Sequence, residues 1–233
     1  MTVLLFKQLL IAAGAFLTTT VLYTLGTDPA APAPNRYVGA KVCKNCHASE
    51  AKGNAFGKWE ASKHAKAFAL LASPEAKKAA EAAKVAGDPQ KAPECVKCHV
   101  TAFGEDPKNI KKGFEQEAGV QCETCHGPGE NHFKARFAAA SADEGKTDES
   151  KRVELPAGEI IAKPTVQVCL NCHNDKSPSF KPFCFNKRTA EIRHMDPRKK
   201  RTPEEMKALE CVCGDKAPNK DGSCAGAKAA DKK

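Results

Sequence analysis

Four times in this chain two cysteines stand three apart with a histidine directly behind the second: CKNCH at 43–47, CVKCH at 95–99, CETCH at 122–126 and CLNCH at 169–173. That spacing is the attachment sequence for c-type haem. Two thiols held this way add across the two vinyl groups on one porphyrin edge, and the next residue reaches the iron from one face. Random placement of this composition would give about 0.02 such motifs. Zinc knuckles also use C-x-x-C pairs but need no histidine after each one. A redox C-x-x-C usually occurs once, near a βαβ pattern. The chain is therefore expected to hold four covalently bound haem c groups. Their thioether positions are Cys43 and Cys46, Cys95 and Cys98, Cys122 and Cys125, and Cys169 and Cys172. Their proximal iron ligands are His47, His99, His126 and His173.

The chain has seven histidines, so three remain: His64, His132 and His194. A low-potential, electron-carrying haem usually takes a second histidine on its far face. Seven histidines allow at most three such bis-histidine haems. A lone histidine is ordinarily a surface or satisfied core residue, but in a tetrahaem domain the three spares are expected to be distal ligands. Residues 122–132 read CETCHGPGENH, which puts His132 six residues past His126 across a Gly-Pro-Gly turn. Reaching around its own porphyrin would take an extended path. The turn instead sends His132 sideways to a neighbouring haem, which the short tether keeps close.

Haem attachment occurs outside the cytoplasm, where disulfides also persist. After Lys7 the run QLLIAAGAFLTTTVLYTLG is uncharged and mostly apolar, as in an export signal. It lacks a good A-x-A cleavage site and is nearly long enough to span a membrane. A cleaved signal and a membrane anchor through residues 8–26 both stand, with the anchor slightly preferred. The expected order is signal or anchor in 1–27, a stiff Pro/Ala linker in 28–36, a tetrahaem domain in 37–200, and a short helix with a cysteine-containing tail in 201–233. Cys184, Cys211, Cys213 and Cys224 lie outside the motifs and are expected to form two disulfides, Cys213 with Cys224 being the favoured pairing. The formal charge of +9 is offset by about two propionates per haem, so no nucleic-acid partner follows from it.

The aromatic content is low, 6%, and haem faces are expected to supply the apolar core. The expected fold class is mainly α with extensive loops, a small multihaem cytochrome c fold built around its haems, with no strand of consequence. WEASKHAKAFALLA (59–72) has a helical pattern with His64, Phe68 and Leu71 on one face. Ser73-Pro74 reads as the N-cap and first-turn proline of a helix running to Gly87. HFKARFAAA (132–140) is helical, whereas SPSFKPFCF (177–185) is proline-broken. Thr202-Pro203-Glu204-Glu205 is a capping box opening a helix to about Cys213.

Several segments occur in the order found in the cytochrome c-554 family of tetrahaem carriers, which the chain resembles over about residues 38–195. They are the first C-x-x-C-H, KHAKAF with His64, CVKCHVTAFG, GVQCETCHGPGENH, the last C-x-x-C-H, and a late lone histidine. The resemblance implies three bis-histidine haems and one five-coordinate haem. His132 would stand opposite His47, His64 opposite His126 and His194 opposite His173, and the haem on His99 would have an open face. Met195 and Met206 are the non-histidine ligand candidates for that face, and Lys181–Phe185 could wall it.

The expected function is electron transfer in the periplasm, between redox proteins or quinol-linked membrane enzymes. Two alternatives are a reductase of a small nitrogen species such as nitric oxide at the haem on His99, and a subunit of an extracellular cytochrome filament.

Overall fold

A computed structural model describes residues 34–142, 148 and 151–210. Its helices are short, and the attachment motifs lie on them. C-x-x-C-H spans one helical turn, so its three functional side chains at i, i+3 and i+4 share a face. Helix α1 (Ala40–His47) carries the first motif and follows Gly39, whose φ of 87° suits glycine. Helix α2 (Ala55–Ala61) is capped by the Asn54 side chain. Helices α3 (Ala67–Leu70) and α4 (Pro74–Ala82) follow. The second motif ends α5 (Pro93–His99), and the third is α6 (Cys122–His126). Helix α7 (Glu130–Ala142) begins just beyond the Gly-Pro-Gly turn. The fourth motif starts in α8 (Val166–Leu170), and the His173 amide still donates to the Cys169 carbonyl at 2.8 Å. Helices α9 (Phe185–Ile192) and α10 (Pro203–Lys207) complete the series. Among the described residues the β-structure is one isolated bridge, Tyr37 to Ile110. The fold is mainly α with extensive loops, as the sequence suggests.

The continuous helix expected over 59–72 is broken. Ser62 is extended, with ψ 164°, and the chain turns through 62–66 before α3. Tertiary bonding overrides the helical pattern here, because the His64 carbonyl accepts from the Val120 amide at 3.0 Å. Gly119 lies so close that a Cβ there would come within 2.6 Å of the same oxygen. The apolar pattern still does its work: Phe68 packs against the buried cluster of Leu71, Val96 and Val100. Helix α4 has its Ser73 cap, which accepts from Ala76 N at 3.1 Å, but it stops at Ala82, short of Gly87, and Lys84 takes φ 57°.

Helix α9 begins at the end of the stretch expected to be broken, with Cys184 as its N-cap. The capping box of α10 forms, Thr202 and Glu205 exchanging bonds of 3.0 and 3.2 Å. That helix ends at Lys207 rather than near Cys213, because the Asn186 amide donates to the carbonyls of Ala208 and Glu210 at 3.2 and 2.7 Å. Cys184 is disulfide-bonded. Cys211, Cys213 and Cys224 lie outside the described residues, as do the signal-or-anchor segment 1–27 and most of the linker. No helix among the described residues is long and apolar enough to cross a membrane.

Two buried carboxylates tie the segment before α1 to the third motif and to the start of α7. Glu123 accepts from the amides of Val38, Gly39 and Gly129 at 2.9, 2.8 and 2.7 Å. Burial pushes its carboxyl above the usual carboxylate range, and those three amides offset only part of the rise. Glu130, at the start of α7, takes both ends of the Arg36 guanidinium at 2.7 Å and also meets Lys111 and Lys134. Arg36 chiefly holds that carboxyl well below the usual carboxylate range. The apolar core is thin, built from residues such as Val38, Ala40, Phe56 and Val120, while Leu70, Phe137 and Ile161 stay exposed. A chain that must also cover porphyrin faces has this distribution of apolar surface.

Candidate haem sites

The seven histidines sort themselves into pairs. The rings of His47 and His132 have centroids 6.1 Å apart, those of His64 and His173 6.1 Å, and those of His126 and His194 5.8 Å. With a metal–imidazole bond of about 2.0–2.1 Å and about 1 Å from nitrogen to ring centre, two imidazoles facing each other across one metal ion have centroids about 6 Å apart. Ordinary aromatic pairs reach this separation too. What distinguishes these three is that each joins one attachment-motif histidine to one spare histidine. His99 is the motif histidine left without a histidine across from it.

Second hydrogen bonds fix several of the rings. The Nδ1 atom of His99 lies 2.7 Å from the Ala67 carbonyl, that of His126 2.6 Å from the Ile161 carbonyl, and that of His194 3.1 Å from the Ile192 carbonyl. His132 Nδ1 lies 2.7 Å from a Glu159 carboxylate oxygen. Each contact places the proton on Nδ1 and leaves Nε2 free to bind a metal, the usual outer-shell arrangement for ligating histidines. Burial is the main force lowering the pKa of His47, His64, His126 and His173, and it brings His47 to about 4. Neutral imidazoles offer the lone pair that iron needs.

A further feature fits the cofactor. The buried Nε of Arg136 has no partner among the described residues, although Arg136 Nη2 donates to Glu159 at 2.8 Å. Such a donor beside an expected haem suits a propionate oxygen.

The motifs also lie in a definite order. Helix α1 packs against α6 and α6 against α8. The Cys43 and Cys122 thiols act on each other's pKa, and burial together with Cys98 raises that of Cys172. Burial chiefly raises the Cys125 pKa, and Cys169 and Cys122 add to the rise. His132, His194 and His126 lower the pKa of His47, and His99 lowers that of His173. The sites therefore run first, third, fourth, second. The short tether between His126 and His132 does bring two sites together: His132 faces His47 while its own pull is felt at His126.

Two pairings differ from those implied by family resemblance. His64 faces His173 rather than His126, and His194 faces His126 rather than His173. The reason is tertiary. The turn at 62–66 that replaces the expected helix fixes where His64 is presented, and the extended Arg193 after α9 carries His194 toward the third motif. Phe183 packs on the His173 ring, centroids 5.4 Å apart, so part of the segment expected to wall His99 lies against the fourth motif instead. Sequence reasoning missed Glu159, Arg136 and the carbonyls of Ala67 and Ile161. A backbone carbonyl has no sequence signature, and Glu159 lies outside every motif.

Residues 42–127 match the family described as cytochrome c554 and c-prime. The chain is 31% identical over 178 residues to cytochrome c-554 of Nitrosomonas europaea, a match covering 71% of this chain and 68% of that protein. The solved structure of the reduced state of cytochrome c554 from Nitrosomonas europaea is 26% identical, with a TM-score of 0.40 over 70% of this chain and 86% of that one.

Proposed function

Because the chain belongs to the cytochrome c554 family, we propose that it relays electrons in the periplasm between redox proteins or quinol-linked membrane enzymes. As a member it is an electron-carrying c-type cytochrome whose cofactor is covalently bound haem c, one group for each of the four motifs. The bound groups supply one-electron redox chemistry, and the chain's own task is to hold, space and tune them. Supporting this reading above all is the division of the histidines into three motif-plus-spare pairs. His47 with His132, His64 with His173, and His126 with His194 would hold three of the haem irons, and His99 alone would hold the fourth. The order first, third, fourth, second gives a path from the His47 end to the His99 end, and partners would dock near those ends.

This reading needs no general acid, base or nucleophile. A reductive titration followed by visible absorption is its test. Four one-electron steps per chain, reversible without any substrate, are expected. Fewer than four electrons taken up would contradict it.

His99, with no histidine across from it, favours a second reading: the second site binds a small nitrogen species such as nitric oxide. Nitric oxide or cyanide should then perturb one haem in four in the native protein. Turnover of nitric oxide with added electrons would place this reading first, and failure of either ligand to bind would remove it.

A further inference from the structure

The residues around His132 differ from those around the other histidines. His126, His99 and His194 each place Nδ1 against a neutral backbone carbonyl. His132 places it against the carboxylate of Glu159, 2.7 Å away. Glu159 is nearly buried, its side chain 8% exposed, and His132 is 17% exposed, so water screens the contact little. The carboxylate is not free to swing: its other oxygen accepts from Arg136 Nη2 at 2.8 Å, and Arg136 sits one turn beyond His132 on α7. The backbone fixes it as well. Gly158 turns the chain with φ 82°, and Glu159 N donates to the Pro156 carbonyl at 3.2 Å. Two residues on, Ile161 N donates to the His126 carbonyl at 3.0 Å, while the Ile161 carbonyl faces His126 Nδ1 at 2.6 Å. One stretch, 159–161, thus grips one axial histidine in each of two adjacent sites, by a charge in one and by a neutral dipole in the other.

We propose that Glu159 is a positioning residue that sets the reduction potential of the site formed by His47 and His132, making His132 a stronger donor than a carbonyl-bonded histidine. This rests on His132 being an axial ligand, as read above. A hydrogen bond to a carboxylate draws the Nδ1 proton away from the ring and raises the electron density at Nε2. A more basic ligand favours the ferric state, so it lowers the potential of that haem. Ile161 offers His126 a weaker acceptor, so the same segment imposes different potentials on neighbouring sites. The first site is then held low relative to the third, and electrons entering there are driven inward along the path.

The test uses the full-length holoprotein in three forms: wild type, His132→Ala and Glu159→Gln. The His132→Ala form identifies the site, because one low-spin haem should become high-spin with all four still attached. Glu159→Gln keeps the shape and an oxygen acceptor but removes the charge. It should retain the wild-type count of low-spin haems. One of the four reduction steps should move upward by about tenfold in its equilibrium constant, about 59 mV for one electron, and the low-spin EPR signal that His132→Ala abolishes should shift its g-values. A charge acting only through space would move the potential and leave the g-values in place. An unmoved potential, unmoved g-values, or loss of the low-spin state in Glu159→Gln each overturns the proposal. An unchanged spectrum in His132→Ala instead removes the ligand assignment on which it rests.

Discussion

Replacing His64 with alanine should make the haem on His173 high-spin and leave the haem on His126 low-spin, and His194→Ala should do the reverse. The geometry behind this is the 6.1 Å spacing of His64 from His173 and the 5.8 Å spacing of His194 from His126. An iron that loses one of two strong imidazole ligands becomes five-coordinate, and its potential changes with its axial set. The effect is large, because it alters the electronic state of a whole cofactor. The two sites are told apart by non-additivity. In a chain whose fourth motif is disabled by Cys169→Ser and Cys172→Ser, three haems remain, and His64→Ala should add no further high-spin haem. In a chain with Cys122→Ser and Cys125→Ser, His64→Ala should still add one. The opposite pattern would restore the pairing implied by the family resemblance.

The largest effect on stability is expected at Glu123. Its carboxylate is 3% exposed and takes three backbone amides, two of them just ahead of α1 and the third on Gly129. Glu123→Ala leaves three buried donors without an acceptor, each costing about 1–3 kcal/mol. A loss of about 3 kcal/mol or more is expected in guanidinium unfolding of the holoprotein, followed by far-UV circular dichroism. Glu123→Gln keeps one oxygen and should lose less. A loss below about 1 kcal/mol for Glu123→Ala would mean that water replaces the carboxylate, and Glu123 would not be the clamp described here.

How far the sequence could be read depends on the range of the forces involved. The four motifs were legible because one helical turn must carry all of their chemistry, so local spacing suffices. The capping box at Thr202 and the cap at Ser73 were legible for the same reason: each closes within three residues. The shortfall of one histidine also needed nothing beyond a count. The turn at 62–66 was not legible, since it depends on a bond to Val120, far along the chain. The partners of His64 and His194 depend on that turn and on the exit from α9. Gly-Pro-Gly shows both cases. Its role in turning the chain toward a neighbouring site could be read from the sequence. That Gly129 also donates to Glu123, with a Cβ there falling 3.2 Å from that carboxylate, could not.

The ligand set is tested most directly by the EPR spectrum of the fully oxidised, native protein, with the high-spin and low-spin signals integrated against its haem content. Three low-spin ferric haems and one high-spin ferric haem per chain are predicted, corresponding to the three histidine pairs and to His99. Four low-spin haems would show that a group other than histidine closes the His99 site, and two or more high-spin haems would show that at least one of the three pairs does not hold iron.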